Sequence, residues 1–341
     1  MVEATLTGNL ANLWAHQPSG IPVIITGAAQ AAFMAGCTLS AMRSDGSLMA
    51  RIQGEFQART GMDWTVVYAD AMAVPEAMGV KVKMSPFGPV GDTVFDLNDF
   101  KGFGNVSWEN TASVNAMMEA LSILRQPAGQ ALGVLFEGPF TTAMRVFEAE
   151  RMLRQIFLNP SRLEDIIREI TGILKSLAEE AYRCGARIFY LPEPFVSADM
   201  LAARHSRSFA FPFITSLVEH VHSLGGRVIL HICGSTEKIW PEMRDTGADA
   251  LSLDQKVSLK DARSSVGPAV VLAGNVDPVR TLLQGDRVAV ESETNACILA
   301  GGPANFILMP GCGVPPGTGP ANLKTMVETV RNFGGSGATT R

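Results

Sequence analysis

Short apolar runs rich in β-branched residues alternate along this chain with longer stretches whose apolar positions recur every three or four residues. Eight runs have the length and composition of buried strands: 22–26, 64–68, 131–136, 187–191, 227–232, 250–253, 270–273 and 305–309. The helical pattern is plain at 46–60, where Leu48, Ile52 and Phe56 stand four apart, with Gly61 as its stop. It is plainest at 160–184, where Leu163, Ile166, Ile167, Ile170, Ile173, Leu174 and Leu177 form one stripe. Asn110 or Thr111 caps a helix through Met117, Leu121 and Leu124. Further helices are expected near 142–157, 208–224, 235–246, 286–300 and 320–333, and Leu10, Leu13 and Trp14 mark a helical lead-in over 1–20. Residues 81–110, with Pro86, Gly88, Pro89 and Gly91, read as a long irregular loop, and 334–341 as a flexible tail.

Strand–helix alternation on this scale argues for a parallel sheet. Eight such units within 341 residues predict an α/β fold, a single-domain (β/α)8 TIM barrel over 1–333. A doubly wound open sheet is the alternative. No G-x-G-x-x-G opens a helix after a strand, which argues against nucleotide binding.

In such a barrel the strand C-termini carry the chemistry. Polar residues cluster there in this sequence: Asp70, Glu193, His231, Cys233, Asp254, Asn275 and Cys312. Side chains alternate across a strand, so His231 and Cys233, two apart at the end of 227–232, face the same way. An imidazole and a thiolate on one side make half of a zinc site. Cys312, in Met309-Pro310-Gly311-Cys312-Gly313, is the candidate for the other half. A buried cysteine is more often a small hydrophobe, and a lone histidine more often structural. Closure of the barrel, which brings distant turns over one cavity, is what makes the metal reading the stronger.

Composition narrows the function. Hydrophobic residues make up 47% and charged residues 18%, so the chain has ample material for a large core. A net charge of -5, with no basic cluster interleaved with aromatics, predicts no nucleic-acid partner. No apolar run is long enough for a membrane span, and the first residues lack the order of a secretion signal. Five scattered cysteines predict a reduced, cytoplasmic protein. The sixteen methionines read first as adaptable core filling.

Several motifs together resemble the uroporphyrinogen decarboxylase superfamily, and most of all its methyltransferase branch, typified by methylcobamide:coenzyme M methyltransferases. They are Gly138-Pro139-Phe140-Thr141, Pro192-Glu193-Pro194, His231-Ile232-Cys233-Gly234, Ser252-Leu253-Asp254, Gly274-Asn275-Val276-Asp277-Pro278 and Pro310-Gly311-Cys312-Gly313, in family order over 130–333. The arginine-rich motif by which true decarboxylases grip substrate carboxylates is missing after Pro22, where the chain reads Ile24-Ile25-Thr26-Gly27-Ala28-Ala29.

The resemblance implies an enzyme that moves a methyl group between a methylated corrinoid (cobalamin) and an acceptor, most often a thiol such as coenzyme M or homocysteine. It implies zinc on His231, Cys233 and Cys312. Glu193 is expected to hold the open zinc position or to orient His231. Asp254 and Asn275 are expected to line the cavity, and Asp70 to face it. The chain shows no Asp-x-His-x-x-Gly, so cobalamin is expected on a separate corrinoid protein. A homodimer is compatible with this picture. A sulfonate-bearing acceptor would need a cation, with Arg204 and Arg207 among the candidates. The other readings are a folate acceptor or a methyl ether or amine donor, uroporphyrinogen decarboxylation, and a non-catalytic barrel that binds corrinoid or metal.

Overall fold

A computed structural model describes residues 20–85, 88–104, 106–125 and 131–333; the expected helical lead-in over 1–20 (all but its last residue) and the tail at 334–341 lie outside them. Seven parallel strands form one sheet: β1 (Thr65–Val67), β4 (Leu132–Leu135), β5 (Ile188–Pro192), β6 (Arg227–Ile232), β7 (Ala250–Leu253), β8 (Val271–Val276) and β9 (Phe306–Pro310), in that spatial order. Each sits within or beside a run expected to be a strand.

The remaining expected strand, 22–26, fills the gap between β9 and β1 without a full ladder. Val23 bridges Leu308 in parallel. Leu308 N donates to Pro22 O at 2.9 Å and Ile24 N to Leu308 O at 3.1 Å. On the other side Asp63, just before β1, acts as the neighbouring strand: its N–H donates to Val23 O at 2.9 Å, and its carboxylate accepts from Val23 N at 2.6 Å. Arg331, on the last helix (Pro320–Asn332), pairs with that carboxylate.

Closure divides the strand residues by parity. Ile24, Trp64, Leu135, Ile188, Tyr190, Ile229, Ala250, Val271, Ala273, Ile307 and Met309 form one cluster inside the ring. Alternate residues such as Val134, Phe189, Leu191, Val228, Leu230, Leu251, Leu272 and Leu308 face outward. They share a second cluster with Leu163, Ile166, Ile167, Ile170, Leu174 and Leu177 of helix Pro160–Arg183. The expected (β/α)8 barrel is the fold observed, filled inside as well as outside.

The departures have local causes. The helix expected near 142–157 is two, Pro139–Val146 and Ala149–Leu158. It breaks at Phe147, which turns extended to bridge Phe95 and to join a ring cluster with Phe95, Phe100 and Phe103. The helix expected near 208–224 is preceded by a separate one, Ala203–Phe209, and begins anew at Phe211–Ser223. Pro212 has no N–H to continue the first ladder. Within 81–110, expected to be irregular, β2 (Lys81–Ser85) and β3 (Gly88–Thr93) pair antiparallel as a hairpin, and Trp108–Asn110 forms a 3-10 turn. Among the described residues no helix is long and apolar enough to cross a membrane.

Asp63→Ala would remove the strand-like acceptor and leave the half-buried Arg331 without its ion pair. The expected cost is about 3 kcal/mol, as for breaking one side of a buried pair. Chemical denaturation of the variant beside the parent measures it, and a change below about 1 kcal/mol would show that closure does not depend on Asp63.

Candidate metal centre

His231 is the last inward-facing residue of β6, and Cys233 follows at the same parity just past the strand. Cys312 stands two residues beyond β9. His231 Nε2 lies 3.1 Å from Cys233 Sγ, and Cys233 Sγ lies 3.8 Å from Cys312 Sγ. The three atoms all fall within 4.8 Å of one another. Among the described residues no other group of three or more histidine, cysteine or acidic side chains converges in this way.

The histidine is set for coordination. Its Nδ1 lies 3.2 Å from Ser252 O and 3.1 Å from Ser252 Oγ, and Tyr190 Oη lies 3.1 Å from the same Oγ. A carbonyl only accepts, so Nδ1 carries the proton and Nε2 keeps its lone pair toward the sulfurs. The Tyr190 ring stacks on the imidazole, centroids 5.6 Å apart at 26°. The donor set, two thiols and a neutral imidazole with a hydrogen-bonded outer nitrogen, suits zinc.

The two cysteine loops are tied from several directions. Asp254 accepts from Gly234 N and Lys256 N, both at 2.9 Å, which fixes the turn after Cys233. Asn275 Nδ2 donates to Asp254 O and Val257 O, both at 2.9 Å. Gly311 N donates to Val276 O at 2.8 Å. A Cβ at Gly311 would stand 2.4 Å from Gln255 N, so glycine is needed where the Cys312 loop crosses the β7 loop. Beyond Cys312, Val314 N donates to Thr26 O at 2.9 Å and Gln30 Nε2 to Thr318 O at 2.6 Å.

Sharing a proton separates the thiols. The hydrogen bond from Cys233 holds the Cys312 thiol well below its ordinary value. The same bond, with burial and the charge on Cys312, pushes Cys233 far up. The pair therefore holds one negative charge readily and a second only with a cation beside it.

Glu193 is fully buried, but its carboxylate turns from the sulfurs to the start of helix Pro139–Val146. Its oxygens accept from Phe140 N at 3.1 Å and Thr141 N at 2.8 Å. A Cβ at Gly138 would sit 2.3 Å from Glu193 Oε1, which explains the glycine before Pro139. The expectation that Glu193 braces His231 is corrected: Ser252 does so. Asp70 is at the mouth, held by Arg43 Nε at 2.6 Å, with Glu76 2.9 Å from the same guanidinium.

Besides Arg43, three residues at this end escape sequence reading. Glu137 ends the inward parity of β4 and is buried, with Arg145 two helical turns on. The two pair through two hydrogen bonds, 2.5 and 2.7 Å. Burial raises the Glu137 carboxyl against the opposing pull of Arg145, and Asp70 adds to the rise. Tyr68, at the end of β1, is pushed well up by burial and by Glu137 and Asp70.

The uroporphyrinogen decarboxylase family model matches residues 9–333. The chain belongs to the uroporphyrinogen decarboxylase family. Among its curated family relatives, the methylcobamide:CoM methyltransferase MtbA of Methanosarcina mazei is 26% identical over 296 residues, covering 85% of this chain and 86% of that protein. The uroporphyrinogen decarboxylase of Myxococcus xanthus is 25% identical over 296 residues, covering 84% and 83%. The solved structure of a methyltransferase from Methanosarcina mazei superposes with a TM-score of 0.84 at 22% identity, covering 95% of this chain and 97% of that one, and shares the fold. The resemblance read from the motifs holds, and so does the expectation of an enzyme, since these curated relatives are named for reactions they catalyse.

The Glu193 carboxyl is pushed up to about 7, chiefly by burial, from an ordinary 4.5. Between those values the folded state holds a proton that the unfolded chain has released, so stability falls as pH rises through that window. Glu193→Gln is expected to flatten a fall of about 3 kcal/mol. Denaturation midpoints across the window measure it, and an unchanged slope in the variant would locate the proton elsewhere.

Proposed function

We propose that this chain is a zinc-dependent methyltransferase that moves a methyl group between a methylated corrinoid, carried by a separate cytoplasmic corrinoid protein, and a thiol acceptor such as coenzyme M or homocysteine. The observation that carries the reading is the convergence of His231 Nε2, Cys233 Sγ and Cys312 Sγ, with the imidazole lone pair turned toward the sulfurs. The methylcobamide:CoM methyltransferase relatives support the kind of reaction.

His231, Cys233 and Cys312 would hold the zinc ion, leaving one position for substrate. Zinc supplies the Lewis acidity that keeps an acceptor sulfur deprotonated at neutral pH. The protein's own part is to fix the ligands and shape the mouth. Ser252 and Tyr190 hold the His231 tautomer, and Asp254 and Asn275 brace the loops around Cys233. Glu193 anchors helix Pro139–Val146 as a positioning residue, and Asp70 borders the mouth. The methylated corrinoid, as substrate, would supply the methyl group and keep the electron pair of its carbon–cobalt bond, while the acceptor sulfur would supply the lone pair that receives the methyl. The acceptor's proton leaves to solvent beforehand.

Decarboxylation is the second reading, favoured by the decarboxylase relatives. A tetrapyrrole with eight carboxylates needs free cations. At the mouth Arg43 and Arg145 are each already bound to carboxylates, which supports methyl transfer.

Purified protein is expected to carry about one zinc per chain, and Cys312→Ala to lose most of it. On the same samples, methylcobalamin should lose its methyl group to coenzyme M or homocysteine and not to tetrahydrofolate. Metal-free protein that stays fully active would overturn the proposal.

A further inference from the structure

The Glu137–Arg145 pair lies in the mouth without taking part in the metal ligand set. Glu137 lies two residues beyond Leu135, which pairs with Tyr190 and through it with Ile229, so by the sheet register it stands level with His231 at the same end of the ring. Arg145 spends Nε and Nη2 on Glu137 and rests over the Phe195 ring, 5.9 Å from its centroid. Its Nη1 has no hydrogen-bond partner among the described residues, and 29% of the side chain is exposed. At the same end, beyond the neighbouring strand β1, Asp70 is paired with Arg43, which also holds Glu76, so carboxylates outnumber guanidinium groups there, three to two. Of the other cations considered for a sulfonate, Arg204 is exposed on helix Ala203–Phe209 and Arg207 is paired with Glu242.

We infer that Glu137 and Arg145 form the subsite for the acceptor's tail, and that they select a zwitterionic α-amino-acid thiol over a sulfonate thiol. The inference rests on the thiol methyltransferase reading above. A sulfonate reaching Arg145 would bring a fixed negative charge beside the Glu137 carboxylate, with Asp70 and Glu76 behind it. Like charges in a desolvated site oppose binding. An α-amino acid adds no net charge: its carboxylate takes the free Nη1 of Arg145 and its ammonium takes Glu137. Each buried charge then keeps an opposite partner, the condition for burying charge at low cost.

The test is isothermal titration of the zinc-loaded full chain with L-homocysteine and with 2-mercaptoethanesulfonate, in parent and Glu137→Gln proteins of equal zinc content. The parent is expected to bind homocysteine at least about tenfold tighter. Glu137→Gln should weaken homocysteine and strengthen the sulfonate thiol, so that the ratio falls at least about tenfold; a general loss of structure would weaken both. If that variant does not fold, Glu137→Asp, which keeps the charge and shifts it, should lower the ratio in the same direction. Tighter sulfonate binding by the parent, or a ratio that neither variant moves, overturns the inference. If the sulfonate thiol is also the better acceptor from methylcobalamin, the inference falls and the methyltransferase reading stands. If neither thiol binds, both fall.

Discussion

Everything at the mouth depends on the sheet closing into a ring, and closure depends on a side chain standing in for a strand. Residues 22–26 meet β9 through a short set of backbone bonds, and meet the other edge at Asp63. An open edge would leave Val23 N–H without an acceptor and the inner cluster exposed. With the ring shut, parity becomes position: a residue at an odd or even place on a strand is either inside or against the helices. His231 and Cys233 inherit their shared direction from that rule.

Much of this was legible in the sequence, because hydrophobic alternation is local and the barrel follows from its repetition. The His231–Cys233 parity and the turn carrying Cys312 could be read off directly. What could not be read was pairing across the fold. Glu137 and Arg145 look like an ordinary strand end and an ordinary helix residue until the helix folds back. Arg43 gave no signal, since its partners lie 27 and 33 positions away. Ser252 lies in Ser252-Leu253-Asp254, but only the sheet register, which sets His231 opposite it, reveals what it does. Glu193 follows a strand, but its carboxylate is claimed by a helix start fifty-odd positions earlier, a partner that no local pattern signals.

The acidic residues divide the labour at this end of the barrel. Glu193 and Asp254 spend their oxygens on backbone N–H groups and so hold a helix and a loop in place. Asp70 and Glu137 spend theirs on guanidinium groups and so set the charge of the opening. The first two make the loops around the thiols rigid. The second two set the charge that anything approaching the thiols would meet.

One consequence follows from the way the Cys312 loop is tied down. Its anchors are Thr26 and Gln30, and its sulfur partner Cys233 lies 79 positions upstream. During synthesis the ribosome delivers the anchors first, the histidine and first cysteine much later, and Cys312 last. No nascent fragment that stops short of Cys312 can bring the three donors together, so under the zinc reading the metal would load only after the last strand of the ring has been made.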